Sequence, residues 1–267
     1  MNKFNKIYND IKSLKIQGAN KIALAGLKAL EINSSPKAVK KILSARPTEP
    51  ALKNAVMFSK IADIETAKNY LKDSEKKTTL LGARLIKNNS RVFTHCHSTT
   101  VINTLKYAKE HGKKFEVLNT ETRPRYQGRI TSLDLAKLKI KNTHFVDSGA
   151  EEAISQSDVI LLGADMVTPN GEVANKIGSE MIAKLARTYK IPVYILTSTW
   201  KYSPKKLKIE QRDTKEIWKK SNKYITIKNP AFELVGPDYI TAIVSGLGIL
   251  KPKKFVKKVK KTYSWIR

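Results

Sequence analysis

One cysteine and one aspartate are the residues best suited to proton chemistry. Cys96 stands in the run THCHSTT, flanked by His95 and His97 and followed by Ser98, Thr99 and Thr100. Serine and threonine cap helix N-termini, and the free amides of a first helical turn attract anions. Those amides are expected to lower the pKa of Cys96 and favour its thiolate. Asp165 stands in GADMVTPNGEVANKIGS, where Asn170-Gly171 makes a tight turn and Asn175-Lys176 come before Gly178-Ser179 and another helix. A carboxyl with an Asn-Lys pair suits polarising and protonating a carbonyl-type oxygen. Lys201, in TWKYSP, adds a cation. Each has a plainer reading as a small buried hydrophobe, a helix cap or a solvated lysine, so position must decide.

Position follows from the elements around them. Residues 1–88 read as successive helices, with apolar residues at helical spacing in Phe4, Ile7, Ile11 and Leu14 and again from Ile22 to Ile32. A third spans Leu43 and the Arg46-Pro47 break, and a long fourth runs from Ala51 towards Leu71. From Arg91 onward, β-rich runs alternate with helical ones. The expected strands are Val92–Thr94, Phe115–Leu118, His144–Val146, Val159–Leu162, Val193–Thr197 and Tyr224–Ile227. This alternation predicts an α/β fold with a doubly wound parallel sheet. Such sheets bind ligands at the carboxyl ends of their strands. Cys96, Asp165 and Lys201 each follow a strand. If the first strand continues, His95 and His97 face away from Cys96, and side chains alternating in this way do not form a metal site. Arg123, Arg125 and Arg129 fall within seven residues of the loop after the second strand, as solvated side chains or as phosphate or subunit contacts.

Composition narrows the class. The chain has 267 residues, of which 41% are hydrophobic, enough for one large core or two modest ones. No apolar run approaches the roughly 20 residues that span a bilayer. The first residues lack a signal-peptide pattern, and the single cysteine fits a reducing compartment, so the chain reads as cytoplasmic. Net charge is +28, but 42 of the 51 basic residues are lysine and they are spread along the chain. Readers of nucleic acid use more arginine, so the charge reads as compositional bias and nucleic acid is not the expected partner. The densest basic run, Lys251 to Lys261, reads as a solvated helix face or a subunit contact.

Together these segments resemble the initiation-factor-2B-like superfamily. It comprises ribose-1,5-bisphosphate isomerase, methylthioribose-1-phosphate isomerase and the alpha, beta and delta regulatory subunits of eukaryotic initiation factor 2B. The matching segments are IQGANKIA, SARPTEPALKNAV, THCHSTT, ETRPRYQGRIT, VDSGA, LLGADMVTPNGEVANKIGS, TWKYSP and NPAFELVGPDYITAIVSGLGI, in family order over nearly the whole chain. The resemblance implies a helical N-terminal domain over residues 1–88 and a Rossmann-like catalytic domain over residues 89–267. It implies catalysis by Cys96 and Asp165, a pair that the regulatory subunits generally lack. The implied substrate shell is Gln17, Gly18, Ala19 and Asn20, then Arg46, then Ser98, Thr99 and Thr100, with Asn175, Lys176 and Lys201. Gln17 stands where an arginine is usual, a Thr-Glu pair common near Ser245-Gly246 is missing, and the helical half looks shortened.

The expected reaction is interconversion of ribose 1,5-bisphosphate and ribulose 1,5-bisphosphate, as in the archaeal enzymes that link AMP degradation to a carboxylase. It needs a base for the C2 proton and an acid at oxygen, but no metal or redox cofactor. The expected assembly is a homo-oligomer, a dimer or hexamer. The rivals are methylthioribose-1-phosphate isomerase and a regulatory subunit binding a sugar phosphate or nucleotide.

Overall fold

The computed structural model describes residues 2–205, 211–220 and 222–266. Five helices come first: α1 (Lys3–Lys12), α2 (Ala19–Ile32), α3 (Pro36–Ser44), α4 (Pro50–Ile61) and α5 (Ile64–Arg84). Asn2 and Ser35 cap α1 and α3 through side-chain oxygens, and proline occupies the first turn of α3 and of α4, where a missing N–H costs nothing. The long fourth helix expected from the sequence is two helices. Asp63 interrupts it by accepting the Thr66 amide at 2.7 Å, a cap that starts α5 afresh. Ile11, Leu27, Leu30, Ile42, Leu52 and Val56 are among the buried side chains inside this bundle.

Strands and helices then alternate: β1 (Ser90–Thr94), α6 (Thr99–Glu110), β2 (Phe115–Thr120), α7 (Gln127–Lys137), β3 (Asn142–Phe145), α8 (Ala150–Ser155), β4 (Val159–Leu162), β5 (Met166–Val167), β6 (Val173–Lys176), α9 (Ser179–Thr188), β7 (Val193–Leu196), β8 (Phe232–Val235), β9 (Ala242–Ser245), β10 (Gly248–Leu250) and α10 (Pro252–Thr262). The main sheet has the order β10-β9-β7-β4-β1-β2-β3 and is parallel except for the antiparallel edge strand β10. All four residues of β4 are buried, as helices covering both faces of a parallel sheet require. The fold is α/β and doubly wound, as expected.

Three expectations change. Tyr224–Ile227 is not a strand, and Tyr224 is 84% exposed. The sixth parallel strand is β9, a short buried run. Asn175 and Lys176 do not merely precede a helix; they lie in β6, within a second, antiparallel sheet of order β5-β6-β8.

The chain leaves β1 through α6 to β2 on one side, and β4 leads on to β7 on the other. The adjacent strands β1 and β4 therefore flank the point where strand order reverses, so a crevice forms at their C-terminal ends. Between α5 and β1, around residues 85–89, falls the expected division at residue 88. The halves nonetheless pack together, since α5 lies on α6 and β9, and Asn54 of α4 donates to the carbonyls of Trp200 and Tyr202 at 2.8 and 2.9 Å. The lysine-rich tail is α10, which buries Phe255, Val256 and Val259 and leaves its lysines in solvent. No helix among the described residues is long and apolar enough to cross a membrane.

Candidate active site

A cavity of about 540 Å³ opens at the C-terminal ends of β1 and β4. Gln17, Gly18, Ala19 and Asn20 line it from the start of α2, and Arg46 from the end of α3. Cys96, Ser98, Thr99 and Thr100 line it between β1 and α6. Asp165 follows β4, Asn175 and Lys176 come from β6, and Lys201 from the turn after β7. All the site residues expected from the sequence thus meet in one space, although Gln17 turns its amide onto the Leu14 carbonyl at 2.8 Å. Close approach is built in at Gly163, where a Cβ would lie 2.7 Å from Ser98 Oγ. Only glycine lets the end of β4 pass the start of α6.

Strand β1 ends at Thr94, so the expected alternation of side chains stops before the histidines. Cys96 takes a left-handed backbone, φ 67°, which costs an L-residue with a Cβ about 1–2 kcal/mol. Two hydrogen bonds hold it there. The Cys96 amide donates to Thr122 Oγ1 at 3.0 Å, and Thr131 Oγ1 donates to the Cys96 carbonyl at 2.8 Å. His95, Cys96 and His97 consequently all line the cavity rather than facing opposite ways. His95 is a buried strut between Thr120 Oγ1 (2.6 Å) and the Ile177 carbonyl (2.9 Å), and burial lowers its pKa. An Nε2–H donated to the carbonyl leaves Nδ1 to accept from the threonine, so the neutral ring satisfies both contacts. His97 pairs with Thr131 at 3.1 Å, and burial lowers its pKa as well.

The electrostatics reverse one expectation. Burial pushes the Cys96 thiol up to about 12. The His97 amide and Lys176 pull the other way, but removal of water outweighs them. At rest Cys96 is a thiol, not the expected thiolate. Burial also lowers the pKa of Lys176. The Lys201 ammonium is buried and donates to the Ala164 carbonyl at 2.5 Å, tying the end of β7 to the backbone beside Asp165. Asn175 donates to Ser179 Oγ at 2.9 Å, which steadies the start of α9.

The cavity also holds residues that sequence reasoning passed over. Glu49, at the N-cap of α4, is only 5% exposed. Burial first, and then the charge of Asp165, raise its carboxyl to about 7, against the pull of Lys201 and Arg46. A glutamate before a proline reads in sequence as a cap at a helix junction, and nothing local to it signals burial. Arg212 makes a bidentate pair with Glu216, 2.9 Å at each end, and Arg125 lies 3.6 Å from the same carboxylate. Arg125 belongs to the loop whose arginine density was visible; Arg212 stands alone in sequence. Seven basic and three acidic side chains line the cavity among the described residues. A polyanion of sugar size suits such a space.

The pattern of the initiation factor 2 subunit family matches residues 15–252. The chain belongs to that family. It is 33% identical to the ribose 1,5-bisphosphate isomerase of Pyrococcus furiosus, over 97% of this chain and 94% of that protein. It is 35% identical to the methylthioribose-1-phosphate isomerase of Thermoanaerobacter pseudethanolicus, but over 72% of this chain and 63% of that protein. The fold is similar to a solved translation initiation factor 2B structure from Pyrococcus horikoshii, with TM-score 0.84 and 23% identity, covering 96% of this chain and 99% of that one.

Proposed function

We propose that this chain interconverts ribose 1,5-bisphosphate and ribulose 1,5-bisphosphate, with Cys96 moving the proton between carbons and Asp165 exchanging protons at oxygen. That it is an isomerase rests on the near full-length similarity to the archaeal enzymes named for that reaction. The observation that carries the finer reading is the meeting of Cys96 and Asp165 in one basic cavity at the switch point of the sheet.

The chemistry sets clear demands. A sugar phosphorylated at C1 is locked as a ring, so the C1–ring-oxygen bond must break. The ring oxygen gains a proton, the C2 proton moves to C1, and the 2-hydroxyl loses its proton as the ketone forms. Cys96 suits the carbon transfer because a thiol whose pKa is raised yields a strongly basic thiolate. Its proton has a carboxylate within the same cavity to go to, so thiolate and carboxylic acid form together with no change in net charge. Asp165 raises the thiol pKa only while it is ionised, so its protonation eases that step. Arg46, Lys176 and Lys201 supply cations for the phosphates, with the amides at Gly18-Ala19 and at the N-terminus of α6. We place the protein in the cytoplasm as a homo-oligomer, a dimer or hexamer; sedimentation showing only monomer at working concentration counts against that assembly.

The test is turnover. Purified protein should convert ribose 1,5-bisphosphate to ribulose 1,5-bisphosphate, detected by mass and by coupling to a carboxylase, and should act poorly on methylthioribose 1-phosphate. Equal or reversed preference sinks the bisphosphate assignment, and tight binding of the sugar without turnover favours a regulatory subunit.

A further inference from the structure

We propose that Glu49 is a second catalytic carboxyl of this cavity, giving its proton to the sugar's ring oxygen while Asp165 takes the proton of the 2-hydroxyl. This rests on the isomerase reading and deepens it. Three observations carry it. Glu49 lines the same cavity as Cys96 and Asp165, although it comes from the helical half of the chain. It is 95% buried, and its Oε1 has no hydrogen-bond partner among the described residues. A carboxyl oxygen left unmatched in a dry site is costly unless a ligand completes it. Asp165 is also the side chain whose charge acts on Glu49 most strongly, ahead of Lys201 and Arg46.

Two carboxyls that feel each other in a dry space do not both ionise readily, so the pair tends to hold one proton. Burial and Asp165 keep that proton on Glu49 up to about pH 7. The reaction needs one proton given and one taken at oxygen, which a singly protonated pair supplies. Glu49 protonates the ring oxygen as the C1–O bond breaks, and the bonding electrons go to that oxygen. The Glu49 carboxylate so formed takes the Cys96 thiol proton, and the Cys96 thiolate removes the C2 proton, giving the enol, and returns it to C1. Asp165 accepts the 2-hydroxyl proton as the C2 carbonyl forms. A proton passing from Asp165 to the Cys96 thiolate restores the thiol, the protonated Glu49 and the ionised Asp165, so nothing is gained or lost. Lys201 and Arg46 prevent Glu49 from being held protonated too firmly to donate, since both lower its pKa.

Steady-state kinetics from pH 5.5 to 9 with ribose 1,5-bisphosphate test this in the wild type, Glu49→Gln and Glu49→Asp. Glutamine keeps the volume but cannot deliver a proton, so its kcat should fall at least about 10²-fold with KM changed by less than about threefold. Aspartate keeps the proton and should recover part of that loss. The wild-type kcat/KM profile should carry an inflection near 7 that glutamine abolishes. Overturning results are a Glu49→Gln protein within about threefold of wild-type kcat with the same profile, or equal losses in both variants matched by equal losses of melting temperature. Should a variant not fold, a wild-type profile without that inflection overturns the role by itself. A wild type inert towards the bisphosphate overturns the isomerase reading and Glu49's role with it, whereas an active wild type with an equally active Glu49→Gln overturns Glu49 alone.

Discussion

Alkylation of Cys96 measures how far burial has disarmed its thiol at rest. The chain has one cysteine, so a single mass increment reports a single site. Burial holds its pKa up at about 12, against the ordinary 9.0. At pH 8 an ordinary thiol of that pKa is roughly 10% ionised, and this one is about 10³-fold less so. A more basic thiolate is a better nucleophile, with a sensitivity of about 0.4–0.5 per pKa unit, which recovers about 15- to 30-fold. Iodoacetamide should therefore label the folded protein about 50-fold more slowly than the urea-unfolded protein at pH 8. Steric shielding also slows labelling, but it does not change the shape of the pH profile. The folded rate should climb about tenfold per pH unit up to roughly pH 11, whereas the unfolded rate levels off near 9. Lys176→Met, which removes the largest cationic side-chain influence on the thiol, should slow the folded reaction further. Bound sugar bisphosphate should protect the site. A folded rate that levels off at or below pH 9 refutes the reasoning, because the site would then stabilise the thiolate after all.

Cys96→Ser and Asp165→Asn should each cut turnover at least about 10²-fold while substrate binding survives, and the double variant should lose little more than the worse single one, as measured by kcat and by calorimetric titration. Lys201→Met should weaken binding about tenfold or more and move the Glu49-dependent inflection upward, since Lys201 lowers that pKa; unchanged kinetics would make Lys201 an ordinary lysine. Glu49 binds its proton more tightly in the folded state, from 4.5 to about 7, so its stabilising contribution is complete below 4.5 and lost as pH rises through 7. Urea unfolding of wild type against Glu49→Gln should show this as about 3 kcal/mol of relative stability lost between pH 4.5 and 7.5. Gly163→Ala should destabilise by about 1–3 kcal/mol in the same assay, because its Cβ would meet Ser98 at 2.7 Å.

The parts of the site that were legible in sequence are those that follow parallel strands. Val159–Leu162 is a continuous apolar run bounded by a helix and a glycine, so Asp165 is placed as soon as the strand is. The small sheet was harder to see. Its strand Val173–Lys176 buries Asn175 and Lys176, and polar side chains turned into a cavity break the hydrophobic pattern by which strands are read. Tyr224–Ile227 misled for the opposite reason: its composition is β-like, but Tyr224 and Ile225 stay exposed to solvent. The true sixth strand, Ala242–Ser245, is four residues inside a longer apolar stretch, too short for periodicity to define. Thiol ionisation was out of reach altogether. Helix-capping residues beside Cys96 announce the amides, but the degree of dehydration that overrides them depends on segments distant in the chain.

The left-handed backbone at Cys96 sets a conflict between keeping the chemistry and keeping the fold. Every copy of the protein carries that torsional cost in order to present the thiol at this corner. Glycine adopts the same torsion freely, so Cys96→Gly would remove a cost of about 1–2 kcal/mol while removing the proposed base. Glycine also loses more chain entropy on folding, which returns part of the gain. Without selection for the proposed activity, substitution at this position has a downhill direction in stability, so the proposed role, and not the backbone, is what argues for cysteine here.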